Sequence, residues 1–258
     1  MQSEAKQCQN CKKDFVIEPE DFAFYEKMKV PAPEICPICR QQLRTAFRNF
    51  KTLYKRPCSK SGRLILSAYR PETKFPVYGI LEWWSDNWDA IDYGTDIDFA
   101  KPFFKQLGEL VDKVPHLSLW VVRSENCEYS NQIDNGKNCY LTFGSINNEN
   151  CDYGHIVWDC RDSIDNLYLF KSEFCYECID CLESSKLFYS QECEGCVDSI
   201  GLFDCRNCLN CIGCVGQINK SYHIFNEPVT KVEYNNFLVK YPLKEKSRGY
   251  EIFSVLQS

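Results

Sequence analysis

Histidine is scarce here: the 258-residue chain has three, against eighteen cysteines. Any metal it holds is therefore expected on thiolates rather than imidazoles. Long apolar runs are missing too. Nothing approaches the ~20 residues of a transmembrane helix, so no membrane association is expected. The opening stretch MQSEAKQCQNCKKDF lacks the apolar core of a secretory leader. That sets aside the secreted disulfide scaffold which so many cysteines would otherwise suggest, and points to a cytoplasmic protein with thiols reduced or metal-bound. A glycine-rich phosphate loop, a Ser/His/Asp order and an open metal site are also lacking, so a protein that is not an enzyme is expected. The remainder is ordinary for a soluble protein: 44% apolar residues, a net charge of −6, and length enough for two or three domains.

What the chain has in excess is a period of three. Cut at Cys127, it runs CEY SNQ IDN GKN CYL TFG SIN NEN CDY and keeps step to Phe225. The first residue of a triplet is mostly Cys, Ser, Gly or another small residue; the second is often bulky and apolar; the third is mostly polar. Four triplets make a 12-residue unit, so Cys127, Cys139, Cys151, Ser163, Cys175, Leu187, Ser199, Cys211 and His223 share one column. A helix does not keep period three, and a free strand keeps period two. An uninterrupted short repeat therefore predicts a parallel β-solenoid, with coils about 4.8 Å apart. A narrow core would admit only small first-position residues. A coil of 24 residues fits the same periodicity with a wider core.

This spacing resembles the insect antifreeze solenoids, in which Cys and small residues also recur every third place. The resemblance stops at spacing. The flat Thr-x-Thr ladder is missing, since the flanking columns hold Asn126, Glu128, Asn138, Tyr140, Asn150 and Asp152, and ice binding is rejected. Second-position columns are apolar: Tyr140, Ile164, Tyr176, Phe188, Ile200, Ile212 and Ile224 in one, Phe143, Leu167, Ile179, Phe203 and Val215 in another. In a narrow coil they face outward and mark a homo-oligomer or protein-partner interface; in a wide coil they are core.

Cys205, Cys208, Cys211 and Cys214 run like a ferredoxin cluster motif, with the last gap one residue short and no Pro after it. The triplet period alone produces every such CxxC. Buried free thiols, zinc, an Fe–S cluster and disulfides therefore all stay open for these cysteines. The subset best placed for zinc is Cys193, Cys196, Cys205 and Cys208, which occupy two columns in successive coils.

Near the N-terminus, Cys8-Gln-Asn-Cys11 and Cys36-Pro-Ile-Cys39 form two knuckles separated by 24 residues. Each tight turn would bring two thiolates to one tetrahedral zinc, closed by four soft ligands and hence structural. The stretch CQNCKKDFVIEPEDFAFYEKMKVPAPEICPICR resembles the "probable zinc-ribbon" family, treble-clef-like in outline. That resemblance covers about the first 45 residues. It implies that Cys8, Cys11, Cys36 and Cys39 stand on the family's metal positions, and it lends no activity. The whole chain is similar to uncharacterised Cys-rich repeat proteins of uncultivated bacteria.

A helix is expected to follow the second knuckle, with Arg40, Arg44, Arg48, Lys51 and Lys55 in a stripe along it. From Arg40 to Pro71 there are nine basic residues and no acidic one, leaving 21 basic against 36 acidic elsewhere. Such asymmetry is what an RNA- or DNA-binding patch looks like. The alternative is that the patch neutralises Asp86, Asp89, Asp92, Asp96 and Asp98. Residues 57–84 look like a second ribbon without its metal: Cys58-Ser-Lys-Ser61 copies a knuckle with one thiol lost, and Val77 to Glu82 holds the partner's place with no Cys. Trp83, Trp84 and Trp88 are expected to supply a core there, with a binding platform as the alternative. The Asp run lacks the Gly and closing Glu of a calcium loop.

An amphipathic helix over 102–114 is expected to cap the first coil, and Thr230-Lys-Val-Glu233 to open a capping helix at the far end. The expected organisation is then a zinc ribbon with a basic helix at 1–56, a metal-free ribbon at 57–100, and a capping helix at 101–115. The Cys-rich solenoid follows at 116–226 and a C-terminal cap at 227–258. The expected function is a non-enzymatic, zinc-binding, nucleic-acid-associated binding or scaffold factor. The alternatives are a metal-carrying or Fe–S redox protein using the solenoid cysteines, and a structural, self-assembling solenoid.

Overall fold

The computed structural model describes residues 2–46, 49 and 51–242, and the chain divides into two compact units, Met1–Asn49 and Phe50–Ser258. The first unit is a hairpin and two helices. Strands β1 (Glu4–Gln7) and β2 (Asp14–Ile17) pair antiparallel, followed by α1 (Pro19–Met28) and α2 (Pro37–Ala46). Helix α1 starts where Glu18 and Asp21 form a reciprocal capping box and Pro19 takes the first turn; it stops at Lys29, in left-handed backbone. Helix α2 ends at Ala46, so the expected single basic helix does not run on to Lys55.

The second unit opens on another antiparallel hairpin, β3 (Tyr54–Pro57) and β4 (Leu64–Ser67), then β5 (Val77–Tyr78) and the short α3 (Ile80–Trp83). Two of the three tryptophans expected in its core pack together: Trp88 lies 4.7 Å from Trp83 and 5.3 Å from Tyr78 between ring centroids, and its Nε1 donates to the Trp83 carbonyl. Trp84 stays exposed. In the Asp run, the carboxylates of Asp89 and Asp98 accept from the amides of Ile91 and Ala100, as turn residues do. Helix α4 (Phe103–Val111) buries none of its residues, and Phe104 remains 81% exposed. At this end the stack is continued by a strand instead: β5 pairs in parallel with β6 (His116–Leu117), and Ala68 donates to the Ser118 carbonyl.

From there the chain winds in coils of 12 residues, which settles the choice against 24. From Val121 on, every described parallel pair is offset by 12, as in Val121 with Ile133, Phe143 with His155, Leu167 with Ile179, and Leu209 with Ser221. One sheet face stacks Val121–Val122, Asn131–Asp134, Phe143–Ile146, His155–Trp158, Leu167–Phe170 and Ile179–Leu182. The opposite face carries Glu149–Asp152 and Arg161–Ile164, then Ser185–Phe188, Val197–Ile200, Leu209–Ile212 and Ser221–Ile224.

The turning device is backbone, not loop. Every third residue from Arg123 to Phe225 has φ between 47° and 66°. Two extended residues followed by one left-handed residue make a corner. Asn, Asp and Gly tolerate that corner well, while Tyr168, Lys186 or the β-branched Ile156 occupy it at a cost of about 1–2 kcal/mol each. The corners also place polar side chains in register. Asn126, Asn138, Asn150 and Asp162 form one ladder, each amide donating to the carbonyl or carboxylate oxygen 12 residues on. Asn135, Asn147 and Asp159 form a second.

Within each triplet the backbone pairs in a fixed way. The second amide donates to the next coil (Arg161 to the Ser172 carbonyl) and the third to the previous one (Asp165 to the Asp152 carbonyl). The first amide mostly faces the core without a carbonyl partner, Ile133 to the Trp120 carbonyl being an exception. Where the residue twelve earlier is Ser or Asn, its side chain answers instead: Ser163 Oγ for Cys175, Asn166 Oδ1 for Cys178, Ser199 Oγ for Cys211. An unanswered buried amide costs about 1–3 kcal/mol, so the inward column favours short acceptors over alanine. Cysteine fits the same role: the Cys151 sulfur accepts from the Ser163 amide and donates to the Glu149 carbonyl.

The capping box forms as expected, Thr230 Oγ1 accepting from the Glu233 amide, and starts α5 (Lys231–Lys240). Tyr234, Phe237 and Leu238 of this helix pack on Tyr189, Ile200 and Ile212. The C-terminal half of the outward apolar column is therefore covered by the chain's own helix and not left for a second molecule. Further toward the N-terminus, Tyr140 and Ile164 of the same column stay exposed.

Candidate metal centre

Four sulfurs meet in the first unit. After β1 the chain turns tightly at Cys8: its amide donates to the Lys13 carbonyl, and the Lys12 amide returns to Cys8 with Lys12 at φ 62°. The second knuckle arrives when the Gln9 amide bonds the Glu34 carbonyl and the Cys36 amide reaches the Cys8 sulfur at 3.2 Å. Pro37 then starts α2, which carries Cys39 on its first turn. As a result Cys8, Cys11, Cys36 and Cys39 have sulfurs all within 4.8 Å of one another, and Cys11 and Cys36 are 3.8 Å apart. Metal–sulfur bonds of about 2.3 Å in a tetrahedron put the sulfurs roughly 3.8 Å apart, so the group could hold a metal ion with little movement.

The electrostatics fit a cation. Burial raises the Cys8 thiol, but the amides of Cys36, Cys11 and Asn10 outweigh it and bring Cys8 down to about 6. At Cys39 the Asn10 side-chain amide favours the thiolate, yet Cys36, burial, Cys11 and Cys8 together push the group up to about 11. Clustered thiols that resist ionising together are relieved by a dication. With four protein ligands no position is left open for substrate.

The second unit contains the same construction with different side chains. The Cys58 amide donates to the Arg63 carbonyl, the Gly62 amide returns to Cys58, and Gly62 takes the positive φ of Lys12. The Ser59 amide bonds the Val77 carbonyl, and the Gly79 amide reaches the Cys58 sulfur at 3.4 Å. Position by position, Cys58, Ser61, Gly79 and Glu82 stand for Cys8, Cys11, Cys36 and Cys39. The Glu82 carboxylate fills the centre, accepting from the Ser61 hydroxyl and the Cys58 thiol, with Arg63 Nε 4.0 Å away. Those donors, the Ser61 hydroxyl foremost, lower Glu82 below the usual carboxylate value. A Cβ on Gly79 would sit 2.6 Å from Glu82 Oε2, so the glycine is what leaves the carboxylate its room. Glu82 was missed from sequence; the signal was G-x-x-E standing at the place and spacing of a CxxC.

The other expected sites come apart. Cys193, Cys196, Cys205 and Cys208 are buried, but among the described residues they are not part of any group of three or more ligand atoms within 4.8 Å. Their thiols are turned to peptide groups: Cys196 to the Cys205 carbonyl at 3.4 Å, Cys205 to the Cys214 carbonyl at 3.3 Å, Cys208 to the Gln217 carbonyl at 3.4 Å, and Cys193 to the Gln191 carbonyl at 3.2 Å.

The basic stripe is divided as well. Arg40 and Arg44 lie on α2, Arg48 lies outside the described residues, Lys51 follows in a bend of the second unit, and Lys55 is in β3. Arg40 donates to the Tyr25 hydroxyl; Arg44, Lys51 and Lys55 are exposed. Arg56 is buried, bonding the Arg70 carbonyl and Thr73, and Lys60 bonds the Asn87 carbonyl. Among the described residues none of these cations forms an ion pair with Asp86, Asp89, Asp92, Asp96 or Asp98; Asp98 pairs with Lys101. No protein-family model and no curated protein matches the sequence.

Proposed function

We propose that the protein is a non-enzymatic zinc-binding factor in which the metal has a structural role. The observation that carries this reading is the closed group of Cys8, Cys11, Cys36 and Cys39. Four thiolates at tetrahedral spacing suit zinc, and a saturated site has no position for catalysis. The rival metal-carrying or Fe–S use of the solenoid cysteines is disfavoured because those thiols answer inward amides and carbonyls. Metal analysis on anaerobically purified protein tests the proposal: one zinc per chain and no visible absorption is expected, while iron with sulfide would overturn it.

The partner proposed is RNA or DNA, contacted by exposed Arg44, Lys51 and Lys55 in a stretch devoid of acidic residues. Affinity should fall steeply with salt, each phosphate contact adding about 0.7–0.9 to the log–log slope. In Arg44→Gln/Lys55→Gln the slope should drop by about 1.5 with sequence preference unchanged. Anisotropy on a mixed oligonucleotide measures both, and no binding at low salt would sink the nucleic-acid reading while leaving the zinc reading intact.

A further inference from the structure

One solenoid thiol differs from the rest. The twelve from Cys139 to Cys214 are buried, whereas Cys127 is only half-buried. Its residue lines an open groove of about 540 Å³ between β4, α3 and the first coil, with walls that include Leu64, Leu66, Leu119, Val121 and Tyr129. Directly across the ladder from Cys127 is Cys139, because Glu125 pairs with Lys137 in parallel register. Neighbouring parallel strands lie about 4.8 Å apart, inside the roughly 4.4–6.8 Å over which two Cα atoms accept a disulfide. The Cys139 amide donates to the Cys127 sulfur, while the thiols themselves turn to carbonyls of their own coils, Cys127 to Glu125 at 3.2 Å and Cys139 to Lys137 at 3.4 Å.

We propose that Cys127 and Cys139 form a peroxide-reactive dithiol, Cys127 attacking a hydroperoxide in the groove and Cys139 resolving the product. In the first step the Cys127 thiolate attacks the terminal oxygen of ROOH. An S–O bond forms, the O–O bond breaks, and the alkoxide leaves with a proton as ROH. In the second step the Cys139 sulfur attacks the Cys127 sulfenic acid. An S–S bond forms, the S–O bond breaks, and hydroxide departs with the Cys139 proton as water. Two thiols are oxidised, and the hydroperoxide is the only oxidant needed.

The division of roles follows from the local charges. The Cys139 thiol, assisted by its amide and opposed by burial, holds Cys127 down at about 7, so thiolate is present at neutral pH. The neighbouring Cys127 sulfur, with burial, pushes Cys139 well up. Once Cys127 is oxidised it no longer holds that charge, and Cys139 is freed to act. Cys181 is also held low, at about 5, but it is fully buried and no oxidant reaches it.

The test uses the full-length, metal-loaded protein. Limiting iodoacetamide followed by peptide mapping should label Cys127 about tenfold faster than any other solenoid cysteine. Hydrogen peroxide should produce a Cys127–Cys139 disulfide. In Cys139→Ser the sulfenic acid should persist at Cys127 and be trapped by dimedone. Serine already stands at positions 163 and 199 of that column, so the variant keeps its acceptor and its volume. Labelling of Cys127 no faster than Cys151 or Cys160 would overturn the proposal. So would peroxide-treated protein with neither the disulfide nor, in the variant, the dimedone adduct.

Discussion

The hairpin that carries Cys8 and the hairpin that carries Cys58 share strand register, turn hydrogen bonds and a left-handed residue at the same place. In the first, four sulfurs surround a space fit for a metal ion. In the second, a carboxylate, a hydroxyl, a thiol and a glycine fill that space. The difference teaches what an ion at the first site would be needed for. The first unit spans 49 residues and its largest buried cluster is Cys8, Cys36 and Cys39 with Phe15 and Ile35 packed on it, so the site is its core. The second hairpin instead leans on Trp83, Trp88 and Tyr78 and joins the solenoid through β5 and β6. A ribbon fused to a larger body can lose its ion and keep its shape.

The largest expected effect breaks the comparison at the first site. Cys36→Ser, or a strong chelator, should unfold the first unit, since structural zinc contributes on the order of 10 kcal/mol of apparent binding energy. The solenoid's strand signal should persist, and protease mapping reads the two separately; native resistance of 1–46 without metal would contradict the account. The next effect runs the other way. Ser61→Cys/Gly79→Cys/Glu82→Cys should add a second tetrathiolate, visible as a doubled cobalt charge-transfer absorption. Unchanged cobalt stoichiometry in a folded variant would show that the two backbones are not equivalent.

Gly79→Ala sharpens the comparison more finely. The added methyl meets the Glu82 carboxylate and should cost about 1–3 kcal/mol in a thermal or urea melt, as overpacking does. A neutral result would mean that the carboxylate is not seated as described. The smallest effect is on pH. Glu82 is lowered in the fold, so its contribution is present above the ordinary glutamate range and lost as pH falls through the folded value. Glu82→Gln should therefore lower the melting point slightly at pH 7 and flatten its acid dependence. A chelator should leave the melting of the second unit unchanged at either pH.

The solenoid was legible because its inward position is chemically restrictive: Cys139, Ser163 and Leu187 are small or apolar, and they recur without insertion. The corner position was not legible as left-handed backbone. Asn138 and Asp162 hint at it, but Ile156, Tyr168 and Lys186 argue the opposite, and only the stacked ladders on both sides hold them there. The four metal-site thiols stood out by spacing, whereas Glu82 did not, because a carboxylate replacing an ion has no motif. The stripe from Arg40 to Lys55 misled for a related reason. Helical spacing persists in the letters past Ala46, where α2 ends. The apolar side of α4 was equally plain, but amphipathicity does not say what an apolar side meets, and Phe104 meets solvent.

The fixed pairing of each triplet has a consequence for how the protein reaches its fold. Ladder bonds join residues 11 or 13 apart, as Arg161 with Ser172 and Asp165 with Asp152 do. Most β proteins must close long loops before any strand finds its neighbour, and they fold slowly for that reason. Here each coil finds its template a dozen residues back, a locality closer to that of a helical bundle. Growth can thus proceed by accretion, one coil on the last, with the nucleus as the chief barrier and no distant strand to search for.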